Sequence, residues 1–135
     1  METHAASLAD RDAVIALWAT VGLTRPWNDP GLDFERALDG PSSTILVGEA
    51  DDGLVATAMV GHDGHRGWVY YVAVREDARG RGHGAAIMRA AEDWLRDRAI
   101  PKIQLMVRDD NAAAVGFYEA LGYEPAAVRV LGRRL

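Results

Sequence analysis

The stretch GWVYYVAVREDARGRGHGAAIMRAAEDW, residues 67–94, decides the fold of this chain. Its first eight residues are mostly β-branched and aromatic, which predicts a strand buried on both faces. From Gly84 onward the apolar residues recur at three- and four-residue spacing, which predicts a helix with one apolar stripe. A strand, a loop and a helix therefore follow one another, and the loop between them is rich in glycine and arginine.

This loop has the chemistry of an anion site. Gly80, Gly82 and Gly84 carry no side chains, so backbone N–H groups in the loop can approach a ligand closely. The start of the helix adds unpaired N–H donors and a partial positive charge. Arg79 and Arg81 add two formal charges. The loop is therefore predicted to bind an anion, and a phosphate is the group most often held in this way.

Composition limits the classes to which the protein can belong. The chain has 135 residues and is 49% hydrophobic, which fits a single domain, 1–135, with a proper core. Its net charge of −5 argues against a nucleic-acid binder held by phosphate contacts. With no cysteine there is neither a thiolate nucleophile nor a cysteine-ligated metal site.

Membrane and export signals are also weak in the sequence. No apolar run approaches the roughly 18 residues that a membrane helix needs. The first residues, METHAASLADRD, lack the basic and apolar parts of a signal peptide. A cytoplasmic protein with no membrane partner is expected.

The rest of the pattern predicts an α/β fold in which a mixed, mostly antiparallel sheet carries helices on both faces. Asp10 or Asp12 is expected to cap the first helix. The segment TRPWNDPG, residues 24–31, is expected to be irregular because of its prolines and Gly31. The predicted elements are a weak strand near 3–7, helices to 21 and over 32–38, strands 43–49, 54–61 and 68–74, a helix 84–98, a strand 102–107 parallel to the preceding one, a helix to 121 and a last strand 123–131.

Two interpretations of the glycine loop are disfavoured. A tight turn into a helix seldom needs three glycines and two arginines. Gly80, Gly82 and Ala85 match the dinucleotide fingerprint G-x-G-x-x-A, but in that fingerprint the first glycine directly follows the strand. Here residues 75–79 intervene, and too few strand–helix units remain downstream for that fold.

Read as R-x-x-G-x-G, residues 79–84 resemble the acyl-coenzyme-A-binding motif of the GNAT superfamily of N-acetyltransferases. VAVREDARGRGHGAAIMRAAEDW is similar to the family's central strand, pyrophosphate loop and following helix, and NAAAVGFYEALGYEP to its last helix and return strand. The resemblance covers residues 44–123 well. It implies a GNAT fold with a splayed parallel strand pair at the centre of the sheet, and acetyl-CoA as the cosubstrate.

The resemblance also implies roles for individual residues. The coenzyme A pyrophosphate would sit on backbone N–H groups of the loop, with Arg79 close to the phosphates. The pantetheine arm would pair with the end of the central strand, where a backbone N–H near Val72 would polarise the thioester carbonyl. The residues that would contact the cosubstrate in this region are Val72, Val74, Arg79, Arg81, Gly82, His83 and Gly84.

Two further side chains match the second motif. Asn111 corresponds to the asparagine that contacts the pantetheine region, although it is equally a candidate helix cap, and both roles can hold together. Tyr118 corresponds to the tyrosine that contacts the cosubstrate and donates a proton to the departing thiolate. The alternative for Tyr118 is a core aromatic beside Phe117 and Leu121.

The base that takes the proton of the attacking amine stays open. Many relatives carry a glutamate at the position of Trp68, which cannot act as a base. A water chain or an amine that arrives neutral would need no base in the protein. The side chains that remain as candidates are Glu49, His62, Asp63, His65, Tyr70 and Tyr71.

The acceptor side is predicted only in outline. Trp27 falls where family members place their acceptor loop, although a loop aromatic packed on the core explains it equally well. Tyr70 is the second residue expected to face the substrate. The turn HDGHR, residues 62–66, is better explained by hairpin geometry than by metal binding, and no metal is expected.

The predicted activity is transfer of acetyl from acetyl-CoA to a primary amine, on a small molecule, a peptide N-terminus or a lysine. Direct transfer is expected because no cysteine can carry the acyl group. The alternative is a non-catalytic acyl-CoA sensor or interaction module on the same fold. A homodimer is expected if apolar residues lie on exposed edges.

Overall fold

The computed structural model describes residues 1–135, which form two compact units, Met1–Leu105 and Met106–Leu135. The first unit holds a five-stranded sheet and three helices, and the second holds one helix and the C-terminal tail. The elements are β1 (Glu2–Ala5), α1 (Arg11–Thr20), α2 (Pro30–Asp39), β2 (Ser43–Ala50), β3 (Gly53–His62), β4 (Gly67–Val74), α3 (His83–Arg96), β5 (Ile103–Gln104) and α4 (Ala112–Ala120).

The sheet has the order β1-β2-β3-β4-β5. The first four strands are antiparallel to their neighbours, and β5 runs parallel to β4. The Asp51–Gly53 turn joins β2 to β3, and Gly53 supplies its positive φ of 110°. The predicted α/β class, a mixed and mostly antiparallel sheet with a parallel pair, is confirmed.

Helices cover both faces of this sheet. On one face α1 and α2 bury Val14, Trp18 and Phe34 against Ile45 and Val47 of β2, which lie two residues apart and so share a face of the strand. On the other face α3 lies so close to β4 that a Cβ at Gly67 would come within 2.4 Å of Leu95 Cδ1. The absence of a side chain at this position therefore allows the helix to pack directly on the strand.

The region before α2 differs from the prediction. The helix begins at Pro30, not at residue 32, so the end of TRPWNDPG is helical. Asp29 caps it by accepting a hydrogen bond from Leu32 N at 3.1 Å, and Pro30 is tolerated because a first-turn N–H needs no partner within the helix. Asp10 precedes α1 as expected, but its carboxylate accepts from Ser7 N at 2.9 Å instead of capping α1.

The last two predicted strands are also corrected. β5 contains two residues instead of the predicted 102–107, because β4 pairs with it only at Gly67–Ile103 and Trp68–Gln104. Residues 123–131 form no strand. Val128, Val130 and Leu131 are 71, 64 and 91% exposed, so their alternation has no surface to bury against and β5 ends the sheet. None of the helices is long and apolar enough to cross a bilayer.

Candidate active site

A β-bulge interrupts β4 midway along its length. Thr57 of β3 pairs with Ala73, but Met59 pairs with Tyr70, so one residue of β3 faces two of β4. A bulge of this kind bends the strand and turns two successive side chains to the same face. Tyr70 lies opposite Met59 and Tyr71 packs in the same helix-facing core, so both tyrosines lie on the face covered by α1 and α2.

Tyr71 adopts an uncommon backbone conformation at this bulge. Its φ is +51°, a region that costs an ordinary residue about 1–2 kcal/mol. Its ring stacks on Trp18 with centroids 4.0 Å apart and an interplanar angle of 16°, and its hydroxyl donates to Asp33 Oδ2 at 2.7 Å. Burial and the bond to Asp33 raise the pKa of Tyr71, so the phenol stays protonated. These contacts hold the conformation in place.

A buried hydroxyl fixes the direction of the next peptide group. Thr57, which is fully buried, accepts a hydrogen bond from Trp18 Nε1 at 3.0 Å and donates to the carbonyl of Tyr71 at 3.0 Å. The peptide is trans, so the N–H of Val72 points opposite to that carbonyl. The Val72 N–H therefore points away from β3.

The outer edge of β4 is open beyond its first two residues. β5 pairs only with Gly67 and Trp68, and no strand of the sheet pairs with β4 on that side from Val69 to Val74. Tyr70 is 45% exposed there, and Val72 and Val74 are half-buried, so the predicted burial on both faces holds at Val69 and Ala73 but not along the whole strand. An extended ligand can pair with such an edge as an additional strand.

The glycine loop follows directly after β4. Gly80 and Gly82 have φ values of 78° and 82°, and a Cβ at either position would meet no atom within 4 Å, so the conformation, not crowding, explains the glycines. Gly82 precedes α3 without a side-chain cap, and the first turn of α3 has no acidic residue. Asp29 and Asn111, by contrast, cap α2 and α4. The donors at the start of α3 have no side-chain acceptor.

Arginine side chains anchor and flank this loop. Arg75, at its beginning, donates to Asp52, to Asp77 and to the Leu54 carbonyl, which ties the loop to the β2–β3 turn. Arg79 and Arg81 are exposed and make no hydrogen bond or ion pair through their side chains. Their two charges therefore remain available to an anion at the start of α3.

The side chains considered as candidate bases lie in different parts of the structure. Glu49 bonds His4 at 3.4 Å on the far side of the sheet, next to β1. Asp63 Oδ1 accepts from His65 N at 2.9 Å and from Arg66 N at 2.8 Å, so the residues of the 62–66 turn form the expected hairpin. That turn joins the first residue of β4, at the end opposite the glycine loop.

The two residues expected to face the acceptor, Tyr70 and Trp27, lie on different elements of the structure. Tyr70 is on β4, and burial raises the pKa of its hydroxyl, which makes it a poor base near neutral pH. Trp27 is 55% exposed in the segment between α1 and α2. No group of three or more His, Asp or Glu side chains is arranged to hold a metal ion.

The second unit carries the two residues of the second motif. Asn111 accepts from Ala114 N at 3.1 Å, so its capping role is present. Tyr118 makes edge-on ring contacts with Phe117 and Tyr123, with centroids 5.0 and 5.8 Å apart. Burial raises the pKa of Tyr118, which keeps its phenol protonated.

Sequence reasoning missed two residues that shape the site. Asp33 was treated only as part of a helix, and Thr57 only as part of a strand. The hydrogen bond from Thr57 to the Tyr71 carbonyl is a tertiary contact, and a single sequence does not show which carbonyl a threonine will bond. The two adjacent tyrosines break the alternation of β4, and this was the one local signal of a bulge.

Together, the short parallel strand pair, the bulge and the uncapped glycine loop define a class of α/β proteins with an open strand edge beside an uncapped helix start. A model of the acetyltransferase (GNAT) family matches residues 12–123. This chain therefore belongs to the GNAT acetyltransferase family, as its motifs predicted.

Two relatives in sequence agree with this assignment. Acetyltransferase ECA0875 of Pectobacterium atrosepticum is 48% identical over 126 residues, which cover 93% of this chain and 89% of that protein. Acetyltransferase YE1169 of Yersinia enterocolitica is 44% identical over 135 residues, covering 100% of this chain and 96% of the relative. The predicted enzyme class, an acetyl-CoA-dependent acetyltransferase, is confirmed.

Solved structures show the same fold at lower identity. AAC(6')-Iy in complex with the bisubstrate analog CoA-S-monomethyl-acetylneamine has a TM-score of 0.85 at 15% identity, covering 99% of this chain and 97% of that one. The ribosomal-protein-S18-alanine N-acetyltransferase of Escherichia coli has a TM-score of 0.79 at 21% identity, covering 93% of this chain and 79% of that one. One of these neighbours is named for a small molecule and the other for a protein.

Proposed function

We propose that this enzyme transfers acetyl from acetyl-CoA directly to a primary amine carried by a small molecule, a peptide or a protein. The observation that supports this most strongly is the arrangement of one strand. The Val72 N–H is turned away from β3, and the uncapped glycine loop follows directly after the end of the same strand. Direct transfer needs no protein nucleophile, and the chain has no cysteine.

The glycine loop fits the diphosphate of coenzyme A. The N–H groups of Arg81, Gly82, His83 and Gly84 would hold it at the positive end of the α3 dipole, and Arg79 would add charge. Val72 and Val74 would pair with the pantetheine arm along the open edge of β4. The structural neighbour solved with a CoA-based bisubstrate analog supports coenzyme A as the ligand.

The Val72 N–H would polarise the carbonyl that the amine attacks. A donor held in advance by the bulge needs no reorganisation when negative charge develops on that oxygen. Donors of this kind contribute roughly 3 kcal/mol to lowering a barrier. Thr57 and Tyr71 act here as positioning residues, because they fix the peptide and do not touch the substrate.

Tyr118 would protonate the sulfur that leaves. The role comes from the motif match, and the raised pKa of Tyr118 supports it because the phenol arrives with its proton. Asn111 would contact the pantetheine region while it also caps α4.

The test is thiol release from acetyl-CoA with a panel of primary amines. We expect release to depend on the amine, and Tyr118→Phe to lower kcat by about a hundredfold, within the range for a general acid. Tyr123→Phe is the matched control, since it loses the same hydroxyl from a ring that touches Tyr118. Thiol release that no amine accelerates, with coenzyme A still bound, would favour the acyl-CoA sensor instead.

A further inference from the structure

The buried core of this protein contains one polar side chain besides an indole, and both lie at the bulge. Thr57 is the only buried residue with a polar side chain apart from the indole of Trp18. Thr57 lies directly opposite Val47 of β2, so its hydroxyl faces the same core as Val47 and Trp18. A buried hydroxyl costs free energy unless it is hydrogen-bonded, so packing alone does not explain a threonine at this position.

The chemistry of three groups fixes the order of the protons in this contact. An indole N–H can only donate a hydrogen bond, and a carbonyl oxygen can only accept one. Trp18 Nε1 lies 3.0 Å from Thr57 Oγ1, which in turn lies 3.0 Å from the Tyr71 carbonyl oxygen. The single hydroxyl proton of Thr57 therefore points at Tyr71, because the indole N–H occupies a lone pair of the same oxygen. The donor on Trp18 sets the direction of the whole chain.

Trp18 also holds Tyr71 through its ring. The two rings stack with centroids 4.0 Å apart and an interplanar angle of 16°. Trp18 has no exposed surface and shares one buried stripe of α1 with Val14 and Leu17. A single side chain of α1 therefore acts on Tyr71 at two points, directly at the ring and through the Thr57 hydroxyl at the carbonyl.

The Tyr71 carbonyl and the Val72 N–H belong to one peptide group. Because the peptide bond is conjugated, a donor on the carbonyl oxygen draws electron density from the nitrogen and makes its N–H a stronger donor. Hydrogen bonds that follow one another in a chain strengthen each other by roughly 10–30% per bond. The two bonds that begin at the indole therefore strengthen the N–H that points away from β3.

We infer that Trp18 is a positioning residue for acetyl transfer. Its indole N–H orients the Thr57 hydroxyl, and that hydroxyl directs and polarises the peptide whose N–H meets the thioester carbonyl. The inference rests on the proposed function, because that function assigns the Val72 N–H to this carbonyl. A fully buried Trp18 touches neither substrate, so its effect is expected in kcat and not in the affinity for acetyl-CoA.

The first experiment separates the indole N–H from the bulk of the ring. Trp18→Phe keeps an aromatic ring against Tyr71 and removes the donor. Since loss of a whole catalytic donor costs about 10²–10³-fold in kcat, weakening it by about 30% should cost about fivefold. KM for acetyl-CoA should not change. Trp94→Phe is the matched control, since it makes the same exchange on α3, where the indole packs against His62 and Arg98, and it should keep the native kcat.

Variants of Thr57 test whether Trp18 acts through the hydroxyl. Thr57→Val removes the middle of the chain and should lower kcat by about tenfold or more, whereas Thr57→Ser keeps a hydroxyl and should recover most of the loss. When Thr57→Val is already present, Trp18→Phe should lower kcat no further, since its N–H no longer reaches the carbonyl. Phe34→Leu changes another buried ring beside Trp18, so it should lower the melting temperature without lowering kcat.

A spectroscopic measurement gives a readout that needs no turnover. The infrared band of acetyl-CoA labelled with carbon-13 at its carbonyl reports how strongly that bond is polarised. We expect the band to move to lower frequency on binding to the native enzyme, less far in Trp18→Phe and least in Thr57→Val. If Trp18→Phe does not fold, 3-benzothienylalanine at position 18 keeps the shape of the indole and lacks only the N–H. It should reduce the shift in the same way.

Three results would overturn the inference. These are a kcat or a carbonyl band that is the same with and without the indole N–H, a loss of kcat that is equal in Trp94→Phe or Phe34→Leu, and a further loss when Trp18→Phe is added to Thr57→Val. Failure to acetylate any amine would instead overturn the proposed function. The infrared comparison would still decide whether Trp18 acts on the bound carbonyl, since it requires only bound acetyl-CoA.

Discussion

The two turns at the ends of β4 have similar composition and opposite chemistry. The hairpin 62–66 and the glycine loop 75–82 both contain a glycine with φ near +83°, Gly64 and Gly82, in open space. In the hairpin, the Asp63 carboxylate accepts two backbone N–H groups. In the glycine loop no side chain caps Gly82.

We propose that this difference is what makes the glycine loop a ligand site. Both turns present backbone donors that need an acceptor, since unsatisfied N–H groups are costly once water is excluded. The hairpin supplies its own carboxylate and is complete. The glycine loop supplies positive charge and no anion, so a diphosphate from outside can take the place that Asp63 takes in the hairpin.

The largest expected effect comes from giving the glycine loop its own carboxylate. Gly82→Asp would place an anion at the start of α3, where it would occupy the donors and repel phosphate. We expect coenzyme A affinity, measured by calorimetry, to fall at least about a hundredfold, because like charges brought together cost several kcal/mol. The melting temperature should change little, because the new cap offsets the strained backbone.

Gly64→Asp is the control for that change, since it introduces the same residue at nearly the same φ in the hairpin. It should strain the chain equally and leave coenzyme A binding intact. Equal loss of affinity in both variants would mean that the comparison reflects folding and not ligand binding.

A smaller effect is expected at the loop's anchor. Arg75→Gln removes the ion pairs with Asp52 and Asp77 that hold the start of the loop. A less ordered loop must be fixed when the ligand binds, so coenzyme A affinity should fall by about tenfold. Arg66→Gln, in the hairpin, is the control and should leave the coenzyme A affinity unchanged. Calorimetry that finds the same affinity in Arg75→Gln as in Arg66→Gln would show that the ion pairs of Arg75 do not contribute to binding.

The smallest effect is expected in the hairpin itself. The N–H groups of Arg66 and His65 lower the pKa of Asp63, so its charge stabilises the fold above its ordinary pKa of 3.8 and loses that effect as pH falls through the lowered value. Asp63→Asn should melt slightly below the native enzyme at pH 7. The gap should close as the pH falls below about 3.8.

Coenzyme A binding should be the same in Asp63→Asn and the native enzyme. Thermal melts across the pH range measure the difference in melting temperature between the two proteins. A difference that persists at pH 2 would show that the amide itself disturbs the turn.

Local pattern was enough to predict most of the fold. The apolar stripe of α3, the Asp-Asp-Gly turn before β3 and the Asn111 cap of α4 are each determined by a few neighbouring residues, and all were found in the structure. The start of α2 was placed late because Pro30 reads as a helix breaker, although it is acceptable in the first turn. The strand over 123–131 was wrong because alternation alone does not supply a partner strand.

The uncapped loop before α3 was predictable because it depends on sequence-local chemistry. Glycine and arginine in the 79–84 loop indicated an anion site without any tertiary information. The bulge could not be predicted, since it depends on Thr57, Tyr71 and Trp18, which come from three different elements. The bond from the Tyr71 hydroxyl to Asp33 of α2 could not be predicted for the same reason.

The buried hydroxyl of Thr57 has a consequence for engineering this enzyme. A threonine with no exposed surface is the kind of residue that stability design replaces by valine, which has nearly the same shape. Here that exchange would release the Tyr71 carbonyl and leave the indole of Trp18 without its acceptor. If the Val72 N–H polarises the thioester as proposed, a peptide free to rotate would lower turnover even in a protein that folds. The direction of that N–H would then depend on a hydroxyl that the substrates do not contact.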